Sequence, residues 1–573
     1  MTAITIPVRR KRTFLKEDFK VTVWENIEPY FKLLLARAID SKESLNQWLL
    51  DRSELESALE EDAGWRYIKM TCYTENEEYR DSFNYFIAEI DPHISPIANE
   101  LDKKVLALPY LAQLEGKGFE LLRKKMQTNA QIFREENIPL FTEMQTEQQT
   151  YGKISGAMTL TIEGEELTLQ QAGVQLQSTD SGLREKIYRL IQERRLQDKI
   201  ALDDLLTLLI GLRDQVGQNA GFENYRDYMF AAMGRYDYTP EDCFTFHEAI
   251  AQEVVPILNQ LSQERKDCLQ LDALRPWDLA VDSHNLPALV PFTSGEDLLE
   301  KTIACFDRLH PYLGNCLKTM KAMGHLDLES RKGKSPGGYN YPLDEIGVPF
   351  IFMNATSTLQ DLITMIHEGG HAAQSFLTIP LPLNTYRGLT SEIAELASMS
   401  MELITMDHWD LFFPNEADLK RAKSEHLEHI MDTLPWVATI DKFQHWLYEN
   451  PTHTHEDRTK AWNETYSRFA SKVVDWDGLQ KYKDNIWQKQ LHIYEVPFYY
   501  IEYGMAQLGA IAVWKNYKEN PEKGLKNYMN ALSLGYSKSI KNVYETAGIK
   551  FDFSAPYIKE LMDFVKLELA KCK

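Results

Sequence analysis

Two histidines four positions apart, His367 and His371, close an apolar run in which Leu359, Leu362, Ile363 and Ile366 recur every three or four residues. That spacing describes one face of an α-helix, with the apolar side chains turned to a core. Ser357 followed by Gln360 has the pattern of a capping box and predicts that the helix starts there. A helix so placed sets both imidazoles on one side, about 6 Å apart along the axis. Two imidazoles at that separation can share one tetrahedral Zn²⁺. Glu368 follows the first histidine by one residue, where its carboxylate can reach a water at the ion without binding the ion itself. The competing reading is a pair of histidines packed into a helical core. Gly369 and Gly370 weaken the helix by about 1 kcal/mol each against alanine, a cost that makes sense where something approaches the backbone closely.

Helical periodicity runs through most of the chain. Residues 23–60, 77–93, 96–135, 181–216, 240–266 and 295–323 all repeat apolar positions at helical spacing. Two zones interrupt it. From Ser155 to Ile162 the pattern alternates, and Glu163-Gly164-Glu165 turns it toward Leu167-Thr168-Leu169, which predicts a β-hairpin. Over 324–356 the glycines and Pro336 of Lys332–Tyr339 forbid a continuous helix, and Val348–Asn354 is a short apolar strand. The expected fold is therefore mainly α, with small hairpin or sheet elements near 155–169 and 330–354. Length allows about two to four domains or lobes. We expect an N-terminal helical lobe with its hairpin over 1–195 and a second unit over 196–573.

Charge narrows the partners. A net charge of −22 repels phosphate backbones and argues against nucleic acid. The short basic run Arg9–Arg12 reads as a solvated tail. No apolar stretch follows it in the manner of a secretory leader, and no run approaches the roughly 18–20 apolar residues that span a bilayer, so no membrane partner is expected. The six cysteines, Cys72, Cys243, Cys268, Cys305, Cys316 and Cys572, lack paired spacing. They read as reduced thiols, which favours a cytoplasmic location.

A third metal ligand must come from farther along. Gln374 and Leu377 stand where a longer histidine motif would place its glycine and third histidine, and from Ala372 to Ser391 there is no Asp, Glu, His or Cys. The next candidates are Glu392 and Glu395, in a segment that itself reads as a helix and continues to Glu402. Spacing leaves both open. Two histidines and one glutamate leave one position at zinc for water, the arrangement of a catalytic site. Glu368 would then act as general base in attack on a peptide carbonyl and return the proton to the leaving amine. An oxyanion needs further donors. Leu491–Gly504 carries five Tyr or His residues within twelve positions, groups of the right type that could equally be an aromatic core.

Taken together, these residues resemble the thimet-oligopeptidase family of zinc peptidases, oligoendopeptidase F branch. The resemblance rests on Phe350–Asn354 leading into His367-Glu368-Gly369-Gly370-His371-Ala372, on Glu395-Leu396-Ala397-Ser398 with Glu402 beyond, and on His492-Ile493-Tyr494 with Pro497–Tyr503. Pro276–Leu279 and Arg331–Tyr339 are also similar to family segments. It implies two helical lobes enclosing a deep channel with zinc at its floor, and short unstructured peptides as substrates. It implies His367, His371 and Glu395 as ligands, with Glu395 preferred to Glu392 by its spacing to Glu402. It places His492, Tyr500 and Tyr503 opposite the metal, binding the scissile carbonyl and peptide backbone. A zinc carboxypeptidase or dipeptidyl carboxypeptidase is the nearest alternative and would need a cationic clamp, for which Arg331 and Arg387 are candidates. A non-catalytic peptide-binding scaffold is the alternative from another class.

Overall fold

The structure is a computed structural model that describes residues 6–114, 118–335, 337–388 and 390–573. Pro336, read above as a helix breaker, lies outside the described residues. Helices dominate, and several of the long periodic stretches are two helices in series. Residues 23–60 divide into Trp24–Ala36 and the start of α1 (Lys42–Cys72), where Ser41 caps the second helix through a reciprocal bond with Ser44. The stretch 181–216 breaks at Asp198, between Ser181–Gln197 and Lys199–Asn219. The stretch 240–266 divides into α2 (Pro240–Glu253) and Val255–Cys268. Pro256 stands in the first turn of the latter helix, where its missing N–H is no loss, but it cannot continue the preceding one. Apolar spacing survives such breaks because both helices turn the same face to the core.

The hairpin forms as β1 (Thr159–Ile162) and β2 (Glu165–Thr168), with Ile162 opposite Glu165. Its two-residue loop, Glu163-Gly164, has φ of 55° and 89°, the positive pair that matches the twist of a tight hairpin. Ser155 and Gly156, expected at its start, instead end the helix Asn137–Gly156. The second zone folds into a sheet of β3 (Leu326–Glu329), β4 (Tyr339–Tyr341) and β5 (Phe350–Ala355) in the order β3-β5-β4. β5 runs parallel to β3 and antiparallel to β4. Phe350, Ile351, Phe352 and Met353 are all buried, as expected of a central strand covered on both faces.

Beyond β5 come α3 (Leu359–Thr378), α4 (Ser391–Ile404), α5 (Glu416–Glu449) and α6 (Tyr500–Glu519). Their buried faces join one large core that reaches from Met144 to Leu569. The N-terminal helices build a core of their own around Phe31, Leu45 and Trp48, into which Leu383 and Tyr386 insert. α1 also covers the small sheet, with Ile68 and Cys72 against Phe350 and Phe352. Gly64 makes that approach possible, since a Cβ there would stand 2.5 Å from the Tyr341 ring. Among the described residues no helix is long and apolar enough to cross a membrane.

Candidate metal centre

α3 starts one residue later than Ser357 and Gln360 predict. Thr358 is its N-cap, and Asp361 closes the box. The Asp361 carboxylate accepts from the backbone N–H of Thr356 at 2.8 Å and of Thr358 at 2.9 Å. Ser357, at φ 73°, lies in the left-handed region and not in the extended geometry of a cap. A carboxylate is also the better partner for the positive end of a helix than the amide of Gln360.

Three turns on, the two glycines let α3 close on its neighbours. A Cβ on Gly370 would stand 2.6 Å from the Cα of Ser398 and 2.9 Å from the carbonyl oxygen of Ala397, both on α4. One on Gly369 would meet the Phe306 ring at 2.8 Å. This contact brings the ligand-type side chains of the two helices together. Nε2 of His367 lies 3.3 Å from Oε2 of Glu395, and Nε2 of His371 lies 3.9 Å from the same oxygen. All three donor atoms fall within 4.8 Å of one another. Bonds of about 2.0–2.1 Å to a tetrahedral zinc imply donor–donor edges of about 3.3–3.4 Å, so the cluster fits such an ion with small adjustments.

The electrostatics suit a cation. Burial opposes it, but Glu395 and Glu402 together raise the His367 imidazole well above its ordinary value, so the two carboxylates call for positive charge at this point. Burial pushes His371 down to about 4, which leaves its ring neutral with a free lone pair. Despite its burial, Glu395 is held down to about 2 by His367, His371 and Tyr499. Nδ1 of His367 faces Oε1 of Glu402 at 2.6 Å, which fixes the ring with Nε2 toward Glu395. Glu368 is not one of the three converging residues. It is 6% exposed, and burial pushes its carboxyl up to about 7 against the pull of His367. Its Oε2 has no hydrogen-bond partner among the described residues.

A model of peptidase family M3 matches residues 174–563, and one of the family's N-terminal domain matches residues 14–133. The chain belongs to peptidase family M3. Among M3 relatives, it is 25% identical over 349 residues to an oligoendopeptidase F homolog of Borreliella burgdorferi, covering 56% of this chain and 54% of that protein. It is 22% identical over 400 residues to one of Lactococcus lactis, covering 69% of this chain and 64% of that protein. The matched stretches thus span less than two thirds of those relatives. The solved structure of PZ peptidase A with an inhibitor is similar along the whole chain, with a TM-score of 0.91 at 26% identity, covering 98% of this chain and 99% of that one.

Within this M3 chain the late aromatic segment lies against the cluster. Trp436 Nε1 can only donate and does so to Oε1 of Gln490 at 3.1 Å, which turns the Gln490 amide nitrogen to His492 Nδ1 at 2.7 Å. The ring proton of His492 is thereby placed on Nε2, which faces the Tyr503 hydroxyl at 3.4 Å. Tyr500 packs on His492 with ring centroids 4.9 Å apart, its hydroxyl toward Trp436 and Gln490. Tyr499, which the sequence did not single out, donates to Oε1 of Glu395 at 3.0 Å. Its aim depends on Phe498, whose φ of 67° is rare for a bulky residue and turns the chain sharply before α6.

Glu392, the other glutamate open on spacing, faces away. It accepts from the Tyr238 hydroxyl at 2.5 Å and lies 4.0 Å from Arg235. The two arginines considered as clamps are both engaged. Arg331 donates to Asp327 at 2.6 and 2.7 Å and to the Cys72 carbonyl, and Arg387 donates to the carbonyls of Asp344 and Leu381.

Proposed function

We propose that the chain is a zinc-dependent endopeptidase that hydrolyses internal bonds of short, unstructured oligopeptides. The observation that carries this reading is the convergence of His367, His371 and Glu395 on one point, beside a buried Glu368 with one carboxylate oxygen that has no hydrogen-bond partner among the described residues. Zn²⁺ bound by the three residues would acidify a water and polarise the peptide carbonyl. Glu368 is placed one helical position from His367 to accept the water's proton and to deliver it to the leaving amine. His492, with its proton on Nε2, and Tyr503 present two neighbouring donors for the carbonyl oxygen as it gains charge. Tyr500 fixes the His492 ring, and Tyr499 holds Glu395 in one orientation. We assign the peptide to a channel between two helical lobes. The six free cysteines support a cytoplasmic location.

Digestion of a mixed peptide pool, with and without chelator, tests the reading by mass spectrometry. Internal cuts that disappear with chelator and return with zinc are expected. Cuts confined to C-terminal ends would favour a carboxypeptidase, against which the engaged Arg331 and Arg387 already argue. No cleavage with zinc bound would favour a scaffold.

Glu402 is a positioning residue here, since it touches His367 and not the ligand point. Glu402→Gln is expected to weaken metal affinity on the order of 10- to 100-fold, read by chelator competition. Unchanged affinity would show that the His367 ring is held by its helix alone.

A further inference from the structure

The faces that α2 and α5 turn to each other hold four side chains able to bind metal, one helical turn apart on each helix. Cys243 and His247 stand on α2, Asp441 and His445 on α5. Each is at most 2% exposed. A ligand atom from each of Cys243, Asp441 and His445 falls within 4.8 Å of the others. His247 Nε2 pairs with Asp441 Oδ2 at 2.8 Å. His445 Nε2 lies 3.3 Å from that same oxygen but outside hydrogen-bond geometry. Neither nitrogen of His445, nor Oδ1 of Asp441, has a hydrogen-bond partner among the described residues.

Aromatic rings crowd His445. The rings of Phe244 and Phe498 stand 4.8 Å and 5.4 Å from that of His445, and Phe230 lies beyond them. An imidazole and a carboxylate oxygen left with open lone pairs in such a place are costly to bury, more so where the group is charged. One dication facing the three donors removes that cost. Its charge also balances one carboxylate and one thiolate, so the dry interior gains no net charge.

We propose that Cys243, Asp441 and His445 bind a second transition-metal dication, with His247 orienting the carboxylate. The mixture of sulfur, nitrogen and oxygen donors suits Zn²⁺. On binding, the Cys243 thiol gives its proton to solvent and becomes the thiolate ligand. The metal ties α2 to α5 at the place where the Phe498 turn rests. Phe498 packs on His445, and its N–H donates to the side chain of the adjacent Gln444 at 3.0 Å. The site therefore braces the turn that sends Tyr499 to Glu395, and its role is structural.

Sulfur separates this site from the other, because His367, His371 and Glu395 contain none. The full-length protein is loaded with Co²⁺, and its near-ultraviolet spectrum and metal content are measured. A thiolate-to-cobalt charge-transfer band is expected, together with a metal equivalent that Cys243→Ser loses along with the band. His371→Ala should keep the band while losing the other metal. Absence of the band in the wild-type protein, or a band that persists in Cys243→Ser, would overturn the proposal. Should Cys243→Ser fail to fold, His445→Gln serves in its place, and an unaltered band there would equally overturn it. Absence of the wild-type band overturns the proposal even where neither variant folds.

Discussion

Replacing Glu368 by Gln is expected to lower turnover by about 10²- to 10⁴-fold, the range that a positioned general base contributes. The protein should keep its metal. Glu368 is not among the three residues whose donor atoms converge, and an amide of the same shape occupies the same space. It cannot, however, take the proton of an attacking water. Stability should not fall, because a neutral amide is cheaper to bury than a carboxylate and Glu368 Oε2 has no hydrogen bond to lose among the described residues. Three measurements on one variant therefore separate chemistry from structure: kcat falls, zinc content stays and thermal unfolding is unchanged or slightly later. Full activity would end the assignment of Glu368 as base. Loss of zinc would mean that its carboxylate holds the site together and does not act on water.

The helix of His367 and His371 was legible because its signal is local: apolar spacing, a start pattern and two ligand-type histidines one turn apart. Even there the start shifted by one residue, since the backbone at Ser357 takes a conformation that side-chain chemistry does not announce. The choice between Glu392 and Glu395 was not legible from spacing. Both are buried on α4, and what separates them is which helix each one meets. Glu395 meets α3, and Glu392 meets Arg235, more than 150 positions earlier in the chain. Tyr499 escaped notice for a similar reason. Its aim is set by a left-handed Phe498, a residue type that carries no turn signal. The four side chains between α2 and α5 likewise form two unremarkable pairs at helical spacing until the two helices are brought face to face. Strands β3 to β5 were legible as a break in helical pattern, but their order was not, because pairing depends on partners that the helices around them select.

Arg235→Met is expected to destabilise the fold by about 3–5 kcal/mol, as removal of one partner from a buried ion network does. The Arg235 side chain is 1% exposed. It donates to Glu502 Oε1 at 2.8 Å, lies 4.0 Å from Glu392 Oε1 and also donates to the Phe498 carbonyl. The Phe230 and Tyr238 rings flank it at 4.6 Å and 5.3 Å. Methionine fills much of the same volume, so the loss is one of charge and hydrogen bonds. Two buried carboxylates are then left facing each other, and Phe498 loses the bond that steadies its left-handed turn. Tyr499 should swing from Glu395, so turnover falls along with stability. Adding Glu502→Gln to the variant distinguishes charge from packing. If the unpaired carboxylate is the main cost, the double variant recovers a large part of the lost resistance to denaturant, although it has one native hydrogen-bonding group fewer. If the double variant is weaker than Arg235→Met alone, shape and hydrogen bonding outweigh charge at this point. Wild-type stability in Arg235→Met would remove Arg235 from any part in holding the turn.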